Sequence, residues 1–413
     1  MRIAYFIMQF PYGDGSPRFR GSYKVGGAEA AAYHLAIEMA TRGHDVEVFT
    51  TARGAKDVVE SVQGVTVHRF GTLARLDSLY FAPKMFLASS QDRAHIVHCH
   101  FTVPPAHLAA LAYSTRQRRP FLLTYHGDLI EDYGSIARRI GLALYNRSVL
   151  RALLSAADRI IVPSKHYVSE SRFLARFLDK LVYVPNGVDP EEVLAPCGKV
   201  QARKIVGLRS SDKVVLYLGA LIWYKGPHVL LKAIAELRDK FPAAKLIMAG
   251  QGPMERELRD LTVRLGINDR VIFAGAVEGE RKKILFRAAD VFVLPSVGTT
   301  EVFPLVLLEA SAASLPMVVS DLNTFRCIVV DGVNGLVTRR GDEVSLSSAL
   351  GRLLADSGLQ TVLGKAAAHK AVDFSWRAVA TQTEDLYNEI LAGRGEAHAV
   401  TSRPSPSVGR EPL

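Results

Sequence analysis

The chain has 413 residues, 48% apolar and 22% charged, a balance that excludes disorder for the bulk of its length and predicts two or three domains at roughly one per 150 residues. Three widely spaced cysteines, Cys99, Cys197 and Cys327, exclude a disulfide scaffold and suit a reducing compartment. The net charge of +10 is uneven: residues 1–205 hold 26 Lys and Arg against 18 Asp and Glu, and the remainder 25 against 23. A basic half fits nucleic acid, an anionic membrane surface or a polyanionic substrate, and charge alone does not choose among them.

Residues 3–10 read as a strand, broken by Pro11, Gly13 and Gly15. That run has no small-residue cleavage site, and no run of 18 apolar residues follows, so a cytoplasmic protein is expected. A helix over 28–41 and a strand over 46–51 come next. Further strands are predicted at 96–99, 121–125 and 160–162, then at 214–218, 245–249, 271–273, 291–294 and 317–320. Continuous apolar strands alternating with helices predict α/β architecture, with doubly wound parallel sheets rather than a barrel.

The series breaks at Pro185-Asn186-Gly187-Val188-Asp189-Pro190, which divides the chain into units 1–194 and 195 onward. One echo supports two similar halves. Ala156-Ala157-Asp158 leads to Pro163-Ser164, and Ala288-Ala289-Asp290 leads to Pro295-Ser296. Residues 393–413 are polar and rich in Ser, Pro, Gly and Arg, and are expected to be a disordered tail.

Several motifs carry chemistry. Gly26-Gly27-Ala28-Glu29 opens a helix, where glycines let a ligand approach and unpaired N–H groups attract an anion; a simple helix entry is the alternative. Lys225-Gly226 follows a predicted strand, at the sheet edge where open α/β folds bind ligands; a solvated loop lysine is the alternative. Pro304 suits a first helical position, which places Glu301 in the preceding loop and Glu309 inside the helix. The free N–H groups of Leu305 and Val306 would then lie between two carboxylates. Glu309 in an otherwise apolar helix needs a partner, and a buried ion pair with a nearby Arg is the alternative reading. His95, His98 and His100 invite a metal reading, but only His98 and His100 share one strand face and Cys99 points away, a poor zinc set, so they read as ordinary residues at a strand's carboxyl end. His126, in Thr124-Tyr125-His126-Gly127, is the better cleft residue. The chain has no Gly-x-Ser-x-Gly elbow and no Asp-x-Asp to hold a metal against a diphosphate.

In this order the segments resemble the family 4 retaining glycosyltransferases of the GT-B fold. The resemblance runs from about residue 1 to 391 and includes Gly26 to Glu29, His98-Cys99-His100, Thr124 to Gly127, Pro185 to Asp189, Lys225-Gly226, Ala249-Gly250-Gln251-Gly252-Pro253, the Glu301 to Glu309 spacing and Asp331-Gly332-Val333-Asn334-Gly335-Leu336. It implies two Rossmann-like domains facing a cleft. The nucleotide sugar would be held mainly by the second, 195–372, and a helix within 373–392 would cross back to the first. By position, it implies that Lys225 neutralises the donor diphosphate with Gly26 and Gly27 opposite, that Glu309 binds the ribose, and that Glu301 binds the transferred sugar beside His126. Metal-independent transfer without a cofactor, retaining the anomeric configuration, follows from the same resemblance. Three departures stand out: Ala220 where the family usually has Arg, Pro304 where it has Gly, and Asn323-Thr324-Phe325-Arg326-Cys327 in place of a Gly-Gly-x-x-Glu pattern.

The expected activity is transfer of a hexose from a nucleotide-diphosphate sugar to a hydroxyl on a lipid-linked or polysaccharide acceptor. A GT-B partner protein without catalysis is the second reading, for which Ala220 speaks. Nucleic-acid binding finds no basic stripe interleaved with aromatics and is not expected. Arg138, Arg139, Arg147 and Arg151 flank Ile140, Leu142, Leu144, Tyr145 and Val149; a basic amphipathic helix of this kind predicts peripheral contact with the inner membrane face, and a core-packed helix is the alternative.

Overall fold

The computed structural model describes residues 1–12, 26–76, 79–88, 93–102, 104–129 and 136–395. Two sheets with helices on their faces build the molecule. The first half contains strands β1 (Arg2–Phe6), β2 (Asp45–Thr51), β3 (Val58–Val62), β4 (Val65–Phe70), a two-stranded flap β5 (Ala74–Leu76) and β6 (Leu79–Phe81), then β7 (Ile96–Phe101), β8 (Phe121–Tyr125), β9 (Arg159–Val162) and β10 (Leu181–Tyr183). Its helices are α1 (Gly27–Thr41), α2 (Ala106–Gln117), α3 (Ile136–Tyr145) and α4 (Arg151–Ala156). The sheet order is β10-β9-β8-β7-β1-β2-β4-β3, with only β3 antiparallel to its neighbour.

The second half contains β11 (Lys213–Leu218), β12 (Ala244–Ala249), β13 (Val271–Gly275), β14 (Val291–Leu294), β15 (Met317–Ser320) and β16 (Gly335–Thr338), interleaved with α5 (Lys199–Ile205), α6 (Pro227–Leu237), α7 (Glu255–Arg264), α8 (Gly279–Ala288), α9 (Leu305–Ala312), α10 (Glu343–Ala355) and α11 (Ser357–Ala371). Its order is β13-β12-β11-β14-β15-β16, parallel throughout. In each sheet the order reverses beside the first strand, between β1 and β7 and between β11 and β14. Such a reversal opens a crevice at the carboxyl ends of the strands, which is where doubly wound sheets take ligands.

The strands form because their Val, Ile, Leu and Phe side chains are buried on both faces: β7, β8, β14 and β15 are buried throughout. The internal echo is structural as well as textual. Asp158 precedes β9, and its Oδ2 accepts the Phe121 N–H at 2.7 Å; Asp290 precedes β14, and its Oδ2 accepts the Val214 N–H at 2.7 Å. In both halves one aspartate ties the start of a strand to its neighbour.

The last helix, α12 (Trp376–Gly393), packs on α1 and completes the core on one face of the first sheet, with Trp376, Val379, Leu386, Tyr387 and Ile390 buried. Its Glu384 pairs with Arg42 at 2.9 Å, and Trp376 stacks on His34 at 5.1 Å between centroids. The chain enters α12 beside the inter-sheet connector, where Val188 N–H donates to Phe374 O at 2.7 Å.

The structure departs from the sequence-based elements in several places, the flap β5–β6 among them. β1 ends at Phe6, and residues 7–10 are buried outside the ladder; Gly13 and Gly15 lie outside the described residues. The hairpin β3–β4 turns at Gln63-Gly64 with positive φ at both, a two-residue turn between alternating runs. The short β10 and β16 add edges. Of the expected tail, Gly393 still belongs to α12 and Arg394 pairs with Asp158; residues 396–413 lie outside the described residues.

Candidate active site

Two exit loops meet at the reversal of the second sheet. The loop after β11 turns at Gly226, with φ +67°, and a β-carbon there would lie 2.0 Å from Pro295 O in the loop after β14. Only glycine allows that approach. The Val297 and Gly298 N–H groups donate to Tyr224 O at 2.7 and 3.0 Å, locking the loops side by side. Lys225 from one loop thereby reaches Glu301 from the other, Nζ to Oε1, with the carboxylate side chain 8% exposed. Ser296 Oγ donates to the same Glu301 oxygen at 3.4 Å.

Helix α9 follows directly. It begins at Leu305, with Pro304 extended at the N-cap (ψ 115°), one residue later than the sequence reading placed it. Proline has no N–H to lose there, and its carbonyl accepts the Leu307 N–H at 3.0 Å. The Leu305 and Val306 N–H groups take no partner among the described residues. One turn on, Glu309 is half-buried and paired with Lys282 of α8. The alternative reading from sequence, an ion pair with a nearby arginine, holds in kind, with a lysine from a different helix as the partner.

The first half supplies the opposite wall. Gly26 caps α1, its N–H bound by Glu29 Oε2 at 2.9 Å, and burial raises the Glu29 carboxyl above its ordinary range. A β-carbon on Gly27 would lie 3.9 Å from Leu305 Cδ1, so the N-termini of α1 and α9 converge on one space. Each end carries unpaired N–H groups and a partial positive charge. Gly127, with φ +138°, lies against Val302: a β-carbon there would meet Val302 Cγ2 at 3.0 Å. His126 and Glu301 are thus direct neighbours of a contacting pair.

His126 is half-buried at the end of β8, and burial pushes its imidazole down to about 4. Its Nε2 meets Nδ1 of His100 at 3.0 Å. His98 lies next in the row, its Nδ1 2.6 Å from Tyr387 OH and its Nε2 2.7 Å from Thr124 Oγ1. His98 and His100, read from the sequence as ordinary residues at a strand's carboxyl end, lie buried in the carboxyl half of β7, and their bonds run from His126 to α12. No group of three metal-ligating side chains forms among the described residues.

The structure brings together Gly26 and Gly27 with Leu305 and Val306, Lys225 with Glu301, and His126 with the Glu301 loop. Glu309 stands one helical turn away. Ala220 offers the cleft no charge; its carbonyl accepts from Tyr217 OH at 2.8 Å. Arg326 is exposed in the loop after β15. Sequence reasoning missed Lys282 and Ser296. Lys282 sits in a run of four charged residues, Glu280 to Lys283, that gives no sign of which one turns inward.

Residues 25–192 match the family model described as Glycosyltransferase Family 4, and residues 199–370 match Glycosyl transferases group 1. An O-antigen chain mannosyltransferase of Escherichia coli is 30% identical over 332 residues, spanning 79% of this chain and 84% of that protein. An uncharacterized glycosyltransferase of Methanocaldococcus jannaschii is 28% identical over 96% of this chain and all of its own length. Among solved structures, sucrose-phosphate synthase from Thermosynechococcus elongatus superposes with a TM-score of 0.77 at 23% identity, over 95% of this chain and 99% of its own. Anabaena HepE, in complex with UDP and glucose, superposes at 0.70 with 21% identity, over 94% and 99%. These likenesses define the fold as GT-B, two sheet-and-helix domains across a cleft. The chain belongs to the family 4 glycosyltransferases. It is an enzyme that moves a sugar from a nucleotide-diphosphate donor to an acceptor.

The histidines give a stability prediction. Burial lowers His126 to about 4 and His98 and His107 to about 3, against an unfolded value of roughly 6.5. Below pH 6.5 the unfolded chain binds these protons and the folded chain does not, so stability falls as pH drops from 6.5 towards 4. Circular-dichroism melts at pH 7.5 and 5 should show a lower Tm at pH 5; equal values would contradict the assignment of neutral buried rings.

Proposed function

We propose that the enzyme is a metal-independent, retaining hexosyltransferase acting on a hydroxyl of a lipid-linked or polysaccharide acceptor. The observation that carries the reading is the approach of the α1 and α9 N-termini beside the loop whose Glu301 holds Lys225. A leaving diphosphate gathers negative charge as the glycosidic bond breaks. Fixed dipoles and an ammonium group aimed at that charge stabilise it without a cation.

In this reading Lys225, Leu305 and Val306 hold the diphosphate, with Gly26 and Gly27 closing on it from the other wall. Glu309 takes the ribose hydroxyls. Glu301 takes hydroxyls of the transferred sugar, and His126 lies against its face. The mannosyltransferase named above and a D-rhamnosyltransferase of Pseudomonas aeruginosa, 28% identical over 80% of this chain, support a hexose-sized donor sugar. That the Escherichia coli relative is an O-antigen chain mannosyltransferase supports a polysaccharide acceptor.

The roles separate kinetically. Lys225 acts where charge develops, so Lys225→Ala should lower kcat by two to three decades, about 3–4 kcal/mol, while nucleotide-diphosphate affinity falls less. Glu309→Ala should weaken product binding and spare kcat, because the ribose is remote from the breaking bond. Lys225→Ala also leaves the buried Glu301 without its cation, so Lys225→Ala/Glu301→Gln compared with Glu301→Gln alone is the matched control. Ala220→Arg in the Lys225→Ala background should restore part of the rate, and turnover of the native enzyme should persist in excess EDTA. A kcat within about threefold of native in Lys225→Ala would remove the lysine from the mechanism.

The acceptor side points to a membrane surface. No helix among the described residues is long and apolar enough to cross a membrane. On α3, Ile136, Ile140 and Leu144 stand four residues apart and are 74%, 57% and 62% exposed, beside exposed Arg139, Arg147 and Arg151. Leu142, Tyr145 and Val149, grouped with them in the sequence reading, are instead half-buried. An apolar row flanked by arginines suits anionic lipid, at roughly 1 kcal/mol per basic residue near the surface. Co-sedimentation should favour anionic over neutral vesicles and weaken with salt and in Ile140→Asp; equal binding to both vesicle types would contradict it.

A further inference from the structure

Tyr5, His98, His100 and His126 form a row of rings with centroids 5.0, 4.6 and 5.3 Å apart in that order. Within the row the bond between His100 Nδ1 and His126 Nε2, 3.0 Å, has one proton to share, and which ring owns it decides what His126 presents to the cleft. The neighbours of His100 answer the question. His100 is 2% exposed, and its Nε2 is buried with no hydrogen-bond partner among the described residues. His98, the adjacent ring, cannot provide one, since both its nitrogens are engaged, with Tyr387 and with Thr124.

Two arrangements satisfy the His100–His126 bond. If His126 donates from Nε2, His100 must carry its proton on Nε2, leaving an N–H buried without an acceptor. If His100 donates from Nδ1, its Nε2 is a bare lone pair. An orphaned buried N–H is the rarer and costlier of the two. The rings are neutral at physiological pH: burial first, then the neighbouring histidines, holds His100 well below its ordinary value, and burial holds His126 at about 4. Each therefore carries one proton.

We infer that His100 is a positioning residue: it donates from Nδ1 to His126 Nε2 and so fixes His126 as the Nδ1–H tautomer, whose proton is offered to an oxygen of the bound sugar. His126 Nδ1 makes no hydrogen bond among the described residues. The ring thus reaches the cleft as a donor. With the other tautomer it would present a lone pair, which could accept from a sugar hydroxyl but could not bond an acetal oxygen. The inference rests on the reading of His126 as a neighbour of the transferred sugar.

The test combines ring-nitrogen NMR of histidine-labelled full-length enzyme with steady-state kinetics. His126 signals are assigned by their loss in His126→Gln. In the native enzyme His126 should appear as the Nδ1–H tautomer. In His100→Phe it should move to Nε2–H or to exchange between the two, with kcat lowered roughly tenfold, about the worth of one lost hydrogen bond, and with nucleotide-diphosphate affinity within twofold. His100→Asn keeps a donor near the Nδ1 position and should recover most of both. A native His126 in the Nε2–H form, or a tautomer indifferent to His100→Phe in a folded variant, overturns the inference. Unchanged turnover in His126→Ala is a separate failure: it removes His126 from the sugar site, whatever its tautomer.

Discussion

The Lys225–Glu301 ion pair is the contact on which the rest of the cleft depends. Both side chains are largely buried, and two buried charges are tolerable only when each compensates the other. The pair exists because Gly226 lets the loop after β11 press against the carbonyl of Pro295, and that approach exists because β11 and β14 are adjacent at the reversal of sheet order. A neutral pair at this point leaves the α9 N-terminus as the partial positive charge facing the cleft, since the α1 N-terminus carries Glu29 as its own cap. An arriving diphosphate then finds that helix end and a lysine that can exchange one anion for another. The second pair, Lys282–Glu309, repeats the device one helical turn away.

The first domain contributes shape and polarity more than charge. Its wall consists of a helix N-terminus whose capping carboxylate is half-buried, and a row of neutral rings anchored through Tyr387 to the helix that returns from the far end of the chain. Tyr387 also meets Tyr5 OH at 2.8 Å, so α12 touches the strand that opens the sheet and the row that ends in the cleft. Contacts between the domains include Asn186 to Phe303 O at 3.2 Å, Ser164 Oγ to Cys327 Sγ at 3.2 Å, Asn323 to Glu170 at 2.7 Å, and the packing of Val302 and Leu305 against the first domain's core.

The doubly wound architecture was legible because strands buried on both faces leave continuous apolar runs, and β8, β14 and β15 appear in the structure with the bounds their runs predict. Of the four edge strands only β13 was. β10 and β16 are short, and β3 is largely exposed, so none stands out from loop sequence. At the site, Lys225, Glu301 and Glu309 announced themselves through position relative to strand and helix ends. Their partners did not, because an ion pair such as Lys282–Glu309 joins two helices whose contact depends on tertiary packing. The histidine row was hidden for a related reason. Alternation placed His98 and His100 on one strand face, but their bonds to Thr124, Tyr387 and His126 cross to another strand, a distant helix and a loop.

The most direct test of a cleft organised around an exchangeable Lys225 is a crystal structure of the enzyme with a nucleoside diphosphate, determined beside the ligand-free form. Lys225 should leave Glu301 and contact a phosphate oxygen, with the Leu305 and Val306 N–H groups on the same diphosphate and Gly27 closing from the other wall. A diphosphate bound elsewhere, with the Lys225–Glu301 pair intact, would contradict the account.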